Sequence, residues 1–155
     1  MFELKDQIAL VTGASRGIGR AIALSMGQQG ASIIGTSTSE LGARTVTTTL
    51  SDAGIEGRGK VLDVTDRENV LNLVRQIEEN FGPISILVNN AGITRDSLLL
   101  RMKDEEWDDI LETNLSSAFR VTKACLRGMI RARRGRVINV TSIVGATGNS
   151  GQTNY

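Results

Sequence analysis

The residues best suited to chemistry are three glycines. Gly13, Gly17 and Gly19 fall in Ala9-Leu10-Val11-Thr12-Gly13-Ala14-Ser15-Arg16-Gly17-Ile18-Gly19. They separate the apolar run Ile8–Val11 from a helical pattern of Ile18, Ala21, Ile22 and Met26. A strand that passes through a glycine turn into a helix exposes backbone N–H groups, and the helix N-terminus adds roughly half a positive charge. The stretch therefore suits a phosphate. Gly13 permits a tight turn, Gly17 lets the backbone approach a pyrophosphate, and Gly19 lets the helix pack close to the strand. The spacing is G-x-x-x-G-x-G rather than G-x-G-x-x-G, so an ordinary strand–helix turn stays open as the alternative.

Composition removes other chemistries. The 155 residues include no histidine. That excludes Ser–His–Asp and Cys–His catalysis and histidine-based metal sites, and no metal is expected. Acid–base work falls to carboxylates, lysine, tyrosine or cysteine. Cys125 is the single cysteine. No intramolecular disulfide is available, a reducing and cytoplasmic setting is expected, and Cys125 reads as a small core or interface residue. A net charge of +1 gives no pull toward nucleic acid or an anionic membrane, and neither is an expected partner. No apolar run has transmembrane length, and the N-terminus has no signal-peptide core. With 40% hydrophobic residues the chain has enough apolar material for one domain core.

The elements that must position these residues alternate. Strands are expected at Ile8–Val11, Ser32–Thr36 (weakened by Gly35), Gly59–Leu62, Ile84–Val88 and Arg136–Val140. Helices are expected over Ile18–Gln29 and from Ser39 to about Ala53, the latter against Thr45, Thr47, Thr48 and Thr49. A third helix opens on a Thr65/Glu68 capping box with Asp66 beside it, and Val70, Leu73, Val74, Ile77 and Phe81 line its face. A long helix runs from about Glu105 to Arg133, with Trp107, Ile110, Leu111, Leu115, Ala118 and Val121 on one side. Residues 143–155 read as loop. The fold class is α/β, a Rossmann-like doubly wound parallel sheet of order 3-2-1-4-5. Its carboxyl edge gathers Gly13–Gly19, Thr36–Thr38, Asp63-Val64, Asn89–Gly92 and Thr141-Ser142 on one rim, where such sheets bind ligands.

That set of stretches is specific. T-G-A-S-R-G-I-G, Asp63-Val64 after the third strand, Asn89-Asn90-Ala91-Gly92 after the fourth, Asn114, and Ser142 followed by Tyr155 together resemble the short-chain dehydrogenase/reductase superfamily. Within it the sequence is similar to the bacterial 3-oxoacyl-[acyl-carrier-protein] reductases. Asn90–Asp96, Arg101-Met102-Lys103, Trp107 and Thr113–Ser117 support this. The resemblance covers the whole chain. It implies an NADP-dependent oxidoreductase of fatty acid biosynthesis that reduces a 3-oxoacyl thioester to the 3-hydroxyacyl product, with acyl carrier protein as partner and a homotetrameric assembly. Other superfamily substrates (acyl-CoA or sugar) and a non-catalytic nucleotide-binding fragment are the alternatives.

The resemblance departs at one end. The superfamily's active site is Y-x-x-x-K, and this sequence stops at Tyr155. The chain is accordingly read as an N-terminal part with later strands missing. Residues 1–142 form the dinucleotide-binding domain and 143–155 an active-site loop that is mobile or rearranged. A carboxylate terminating the chain beside the phenol opposes its ionisation, so negligible reductase activity is expected of these 155 residues alone.

The resemblance also distributes roles. Gly13, Ser15, Gly17, Ile18 and Gly19 cradle the cofactor phosphates. The second strand ends Gly35-Thr36-Ser37-Thr38 with no carboxylate before Glu40, so a 2′-phosphate meets no close anion there, and Arg16 with Thr38 would hold it. NADP(H) is thereby favoured. Arg16 as a solvated loop residue is the alternative. Asp63 and Val64 would contact adenine, or Asp63 serves only its turn. Asn90, Ala91 and Gly92 would line the ribose and nicotinamide, unless Asn90 braces neighbouring strands, a task Asn89 also suits. Asn114 would bend its helix and hold water in a proton relay, or act as a buried cap or bend. Ser142 would hydrogen-bond the substrate carbonyl, and Tyr155 would donate the proton. Arg127, Arg131, Arg133 and Arg134, with Arg136, would dock the acidic carrier protein or simply complement a helix dipole. Phe119, Ala124 and Leu126 form a second apolar set where subunits would pack.

Overall fold

A continuous apolar strand requires cover on both faces, and this chain supplies a helix after almost every strand. The computed structural model describes residues 3–155. Its strands are β1 (Ile8–Val11), β2 (Ser32–Ser37), β3 (Gly57–Val61), β4 (Ile86–Asn89) and β5 (Arg136–Asn139). They form one parallel sheet of order β3-β2-β1-β4-β5, as expected. The helices are α1 (Gly17–Gln28), α2 (Glu40–Asp52), α3 (Arg67–Asn80), α4 (Asp104–Ile110), α5 (Ser117–Arg131) and α6 (Ile143–Thr147). No helix among the described residues is long and apolar enough to cross a membrane.

The period of two in the strands sorts the core into two layers. Leu10, Ile34 and Leu87 face one way and pack with Val70, Leu73, Val74 and Ile77 of α3 and Val121, Cys125 and Met129 of α5. Ala9, Val11, Ile33, Ile86 and Val88 face the other way, with Ala23 of α1 and Val46 and Leu50 of α2. β1 pairs with both β2 and β4, so the chain order reverses beside it and opens a crevice at the carboxyl ends of β1 and β4. Among the described residues β5 pairs with β4 alone, and Val137 and Ile138 on it are exposed.

Several local expectations need correction. α1 does not bury Ile18, which is 65% exposed. Its inward residues are Gly19 and Ala23, and a Cβ on Gly27 would lie 2.3 Å from Ile55, so α1 approaches the sheet through small residues. Asp66, not Thr65, caps α3, accepting from the N–H groups of Glu68 at 2.9 Å and Asn69 at 3.0 Å. The Thr65 hydroxyl is already committed, donating to Asp63 Oδ1 at 2.7 Å. The threonine-rich α2 persists because Ser39 caps it and Ala43, Val46 and Leu50 are buried along one face, while Thr45 and Thr47 satisfy their hydroxyls on carbonyls one turn back.

The long helix is interrupted. Between α4 and α5 the residues Leu111–Ser116 form a π turn. Its wider turn breaks the 3.6 period. Ile110 and Val121 stay buried at 1% exposure each, while Leu115 turns out to 66%. Ala124 is also reassigned: it packs half-buried against the inner core, whereas Phe119 and Leu126 are exposed. Residues 143–155 are not all loop. Ser142 caps the short α6, accepting from the N–H of Val144 at 3.2 Å.

Candidate functional site

The glycine turn has the geometry its sequence anticipates. Gly13 and Gly17 take φ of 66° and 55°, a region that L side chains rarely adopt. A Cβ on Gly19 would lie 2.3 Å from the Gly13 carbonyl oxygen, so α1 can sit this close to the turn only with glycine there. Nothing lies within 4 Å of the place a Cβ on Gly17 would occupy. Gly17 therefore presents bare backbone to the crevice. Arg16 sits at the N-cap of α1 with no side-chain capping hydrogen bond, and the first turn holds no acidic residue. The leading N–H groups of α1 thus lack a side-chain cap and are disposed toward an external acceptor. This is the fit a diphosphate requires.

Thr12 holds the turn to the next strand. Its buried hydroxyl oxygen accepts from the N–H groups of Asn90 and Ala91, each at 3.0 Å, and its O–H donates to Val88 O at 3.3 Å. Asn90 Nδ2 completes the brace, donating to Thr12 O at 2.9 Å and Gly13 O at 3.1 Å. The bracing alternative for Asn90 is therefore realised in its side chain, and its residue still lines the crevice. Asn89 braces as well: its Nδ2 donates to Asn139 Oδ1 at 2.8 Å and Thr122 Oγ1 at 3.1 Å, tying β4 to β5 and α5. Sequence reasoning leaves Thr12 without a role. The available signal was a hydroxyl at a buried strand end directly before the first glycine.

Two connected clefts follow the carboxyl edge. The first, of about 720 Å³, is lined by Gly13, Ser15, Arg16, Gly17, Ile18, Gly19, Thr38, Asp63 and Val64. The second, of about 790 Å³, is lined by Asn114, Ser142 and Tyr155. Ile18, Val64, Asn90, Ala91, Gly92 and Ile93 border both. Each lies within the roughly 300–1,000 Å³ range of ligand pockets, and together they form one elongated trough. Asp63 Oδ1 accepts from Thr65 N at 2.9 Å, so its turn role is fulfilled while it also lies on the trough wall. Among the described residues no group of three His, Cys, Asp or Glu side chains could hold a metal ion.

In the second cleft Asn114 meets Ile93 through both ends of its carboxamide. Ser142 accepts from Val144 N, which leaves its O–H free to donate toward the cleft. Tyr155 is 39% exposed there. The arginines stand apart. Arg127, Arg131, Arg133 and Arg134 are exposed at and beyond the end of α5, and none lines the trough. Cys125 lies in the core, its thiol pushed up to about 12 by burial and, secondarily, by the Glu78 carboxylate.

Comparison with known proteins agrees with this geometry. The family model described as short chain dehydrogenase matches residues 7–155. The 3-oxoacyl-[acyl-carrier-protein] reductase FabG of Haemophilus influenzae is 57% identical over 152 residues, spanning 98% of this chain and 62% of the relative. The protein of the same name from Pseudomonas aeruginosa gives the same figures. That from Escherichia coli is 56% identical over 151 residues, spanning 97% of this chain and 61% of the relative. The chain thus spans about three fifths of the length of the curated relatives it matches. With its family model matched almost from end to end and its glycine turn, asparagine clamp and tyrosine set along one trough, the chain belongs to the short-chain dehydrogenase family.

Proposed function

We propose that this chain carries the nucleotide cleft and the proton donor of an NADPH-dependent 3-oxoacyl-[acyl-carrier-protein] reductase of fatty acid biosynthesis, working in the cytoplasm. The observation that carries the reading is the convergence of Asn114, Ser142 and Tyr155 on a cleft continuous with the glycine cradle. The names of the 56–57% identical relatives support the substrate class. In this reading residues 1–142 form the dinucleotide-binding domain and 143–155 the active-site segment; residues 1 and 2 lie outside the described residues.

Gly13, Ser15, Gly17, Ile18 and Gly19 would hold the diphosphate on backbone N–H groups at the start of α1. Arg16 and Thr38 border the same cleft and would take the 2′-phosphate, since no carboxylate ends β2. Asp63 and Val64 would flank the adenine, and Asn90, Ala91 and Gly92 the ribose and nicotinamide. A nicotinamide cofactor held by these residues would supply the hydride for the 3-oxo carbon. Tyr155 donates its phenolic proton to the oxygen on which negative charge develops. Ser142 donates its hydroxyl hydrogen to the same oxygen and fixes its position. Asn114 keeps the π turn and the Ile93 backbone in place along the cleft wall and holds water for the proton relay.

The acyl carrier protein is acidic in this reading and would meet Arg127, Arg131, Arg133 and Arg134. The exposed Phe119, Leu126 and Ile130 would pack against other subunits of a homotetramer. The test is a titration of NADPH and NADH into the protein and its Arg16→Ala variant. NADPH should bind the parent at least tenfold more tightly than NADH, and the variant should lose most of that preference. Equal binding of the two nucleotides by the parent would overturn the NADP assignment.

A further inference from the structure

Tyr155 is held by its neighbour. Asn154 is buried at 5% exposure, although the segment that carries it is otherwise at the surface. Its Nδ2 donates to the carbonyl of Arg95 at 2.9 Å and to that of Glu106 at 3.1 Å. Those two carbonyls belong to different parts of the structure. Arg95 lies in the connection that leaves β4, and Glu106 in the first turn of α4. A single primary amide thus joins three chain segments. Among the described residues the Asn154 Oδ1 has no hydrogen-bond partner, so both bonds depend on the amide hydrogens.

Further links lie alongside. Ser97 N donates to Gly151 O at 2.8 Å, and Gln152 Nε2 donates to Asp96 Oδ1 at 3.0 Å, the latter between exposed side chains. Tyr155 N then donates to Gln152 O at 3.1 Å, closing a turn that turns the phenol toward the cleft shared with Ser142 and Asn114. The same connection is gripped once more two residues earlier, where Asn114 holds Ile93. Two asparagines from distant parts of the sequence therefore fix one short stretch, Ile93–Arg95, and through it the two sides of the cleft.

We propose that Asn154 is a positioning residue for Tyr155, setting the phenol in the cleft by clamping the Arg95 and Glu106 carbonyls. The proposal rests on the reading above that Tyr155 is the proton donor. Aspartate is nearly isosteric but presents carboxylate oxygens, not N–H groups, to two carbonyls, so Asn154→Asp converts both attractions into repulsions. Asn154→Ala removes both donors without adding a charge and serves where the aspartate variant folds poorly.

The test is made on the whole protein with three readouts: amide exchange at Ser97 and residues 151–155, NADPH affinity, and steady-state turnover. Both variants should speed exchange at Ser97 by at least tenfold and cut kcat by at least tenfold. NADPH affinity should stay within twofold, because the glycine cradle is untouched. Gln152→Ala, which loses the exposed side-chain links to Asp96 and Asn149, should leave kcat within twofold. Unchanged kcat in a variant whose Ser97 exchange has accelerated would overturn the proposal, as would unchanged exchange. A parent protein that neither binds nor oxidises NADPH would instead overturn the functional reading, and the exchange data would still decide whether the clamp exists.

Discussion

The carboxamide of Asn114 and the backbone of Ile93 are joined twice: Ile93 N donates to Oδ1 at 2.8 Å, and Nδ2 donates to Ile93 O at 2.9 Å. The pair copies the exchange between two strand residues, with a side chain in place of one strand. It requires one donor and one acceptor on the same group. Asn114→Asp keeps the acceptor and loses the donor, while Asn114→Leu loses both. Each leaves a half-buried carbonyl short of a partner, at about 1–3 kcal/mol. Denaturant melts should show that loss, and turnover should fall by at least tenfold in both variants. Full activity with the stability loss present would restrict Asn114 to a structural bend.

Gly19 and Gly17 separate packing from binding. A methyl at Gly19 meets the Gly13 carbonyl oxygen at 2.3 Å and Asn90 Nδ2 at 2.4 Å. Both are fixed by hydrogen bonds, so Gly19→Ala should cost about 1–3 kcal/mol through overpacking and weaken nucleotide binding with it. A methyl at Gly17 meets nothing, but φ of 55° costs roughly 1–2 kcal/mol for a residue with a Cβ. Gly17→Ala also crowds the open face where a phosphate would lie. Its loss of NADPH affinity, measured by titration, should exceed its loss of stability, the reverse of the order at Gly19.

The contrast between readable and unreadable features has a physical basis. The strand Ile8–Val11 was readable because four apolar residues in a row need a two-sided core. The inward face of α1 was not, because Gly19, Ala23 and Gly27 bury by closeness rather than by hydrophobicity, and the larger Ile18 drew attention to the wrong side. The cap of α3 lies one residue beyond the Thr65/Glu68 spacing because a local turn gives the Thr65 hydroxyl to Asp63, two residues back, and leaves the cap to Asp66. The π turn leaves no mark in a 3.6-residue pattern: Leu115 falls in phase with Leu111 and Ala118 in the sequence, and only the wider turn swings it out. The turn residues Gly13, Gly17 and Gly19 were legible since their backbone demands are local. Thr12 and Asn154 were not, since their partners lie 76–79 and 48–59 residues away.

The arginines at and beyond the end of α5 make a prediction that separates carrier from acyl group. Arg127, Arg131, Arg133 and Arg134 are all exposed, and none lines the trough. Replacing Arg131 and Arg134 by glutamate should raise KM for a carrier-bound 3-oxoacyl substrate by roughly tenfold, since rim charges act on encounter with an oppositely charged partner. The penalty should shrink at high salt. A small free thioester should be reduced as before. Equal effects on the two substrates would discard the docking role and leave these residues to the helix dipole.

Cys125 sets an alkaline limit on stability. Burial first, and the Glu78 carboxylate second, push its thiol from 9.0 to about 12. Below about pH 9 the thiol is protonated in folded and unfolded chains alike, and it contributes no pH dependence. Between about 9 and 12 the unfolded chain releases this proton and the folded chain keeps it, so the unfolded state binds fewer protons and stability falls as pH rises. The full difference is about 4 kcal/mol at the top of that window, on the order of 1.4 kcal/mol per pH unit. Cys125→Ala removes the titration at the cost of a small cavity. Its urea midpoint should lie below the parent's at pH 8, and the gap should narrow at pH 10. At pH 8 the native thiol should resist iodoacetamide and react at the ordinary rate once urea unfolds the chain. Rapid native alkylation, or a gap that does not change between pH 8 and pH 10, would show that the thiol is reached by water and not held in the layer between β4 and α5.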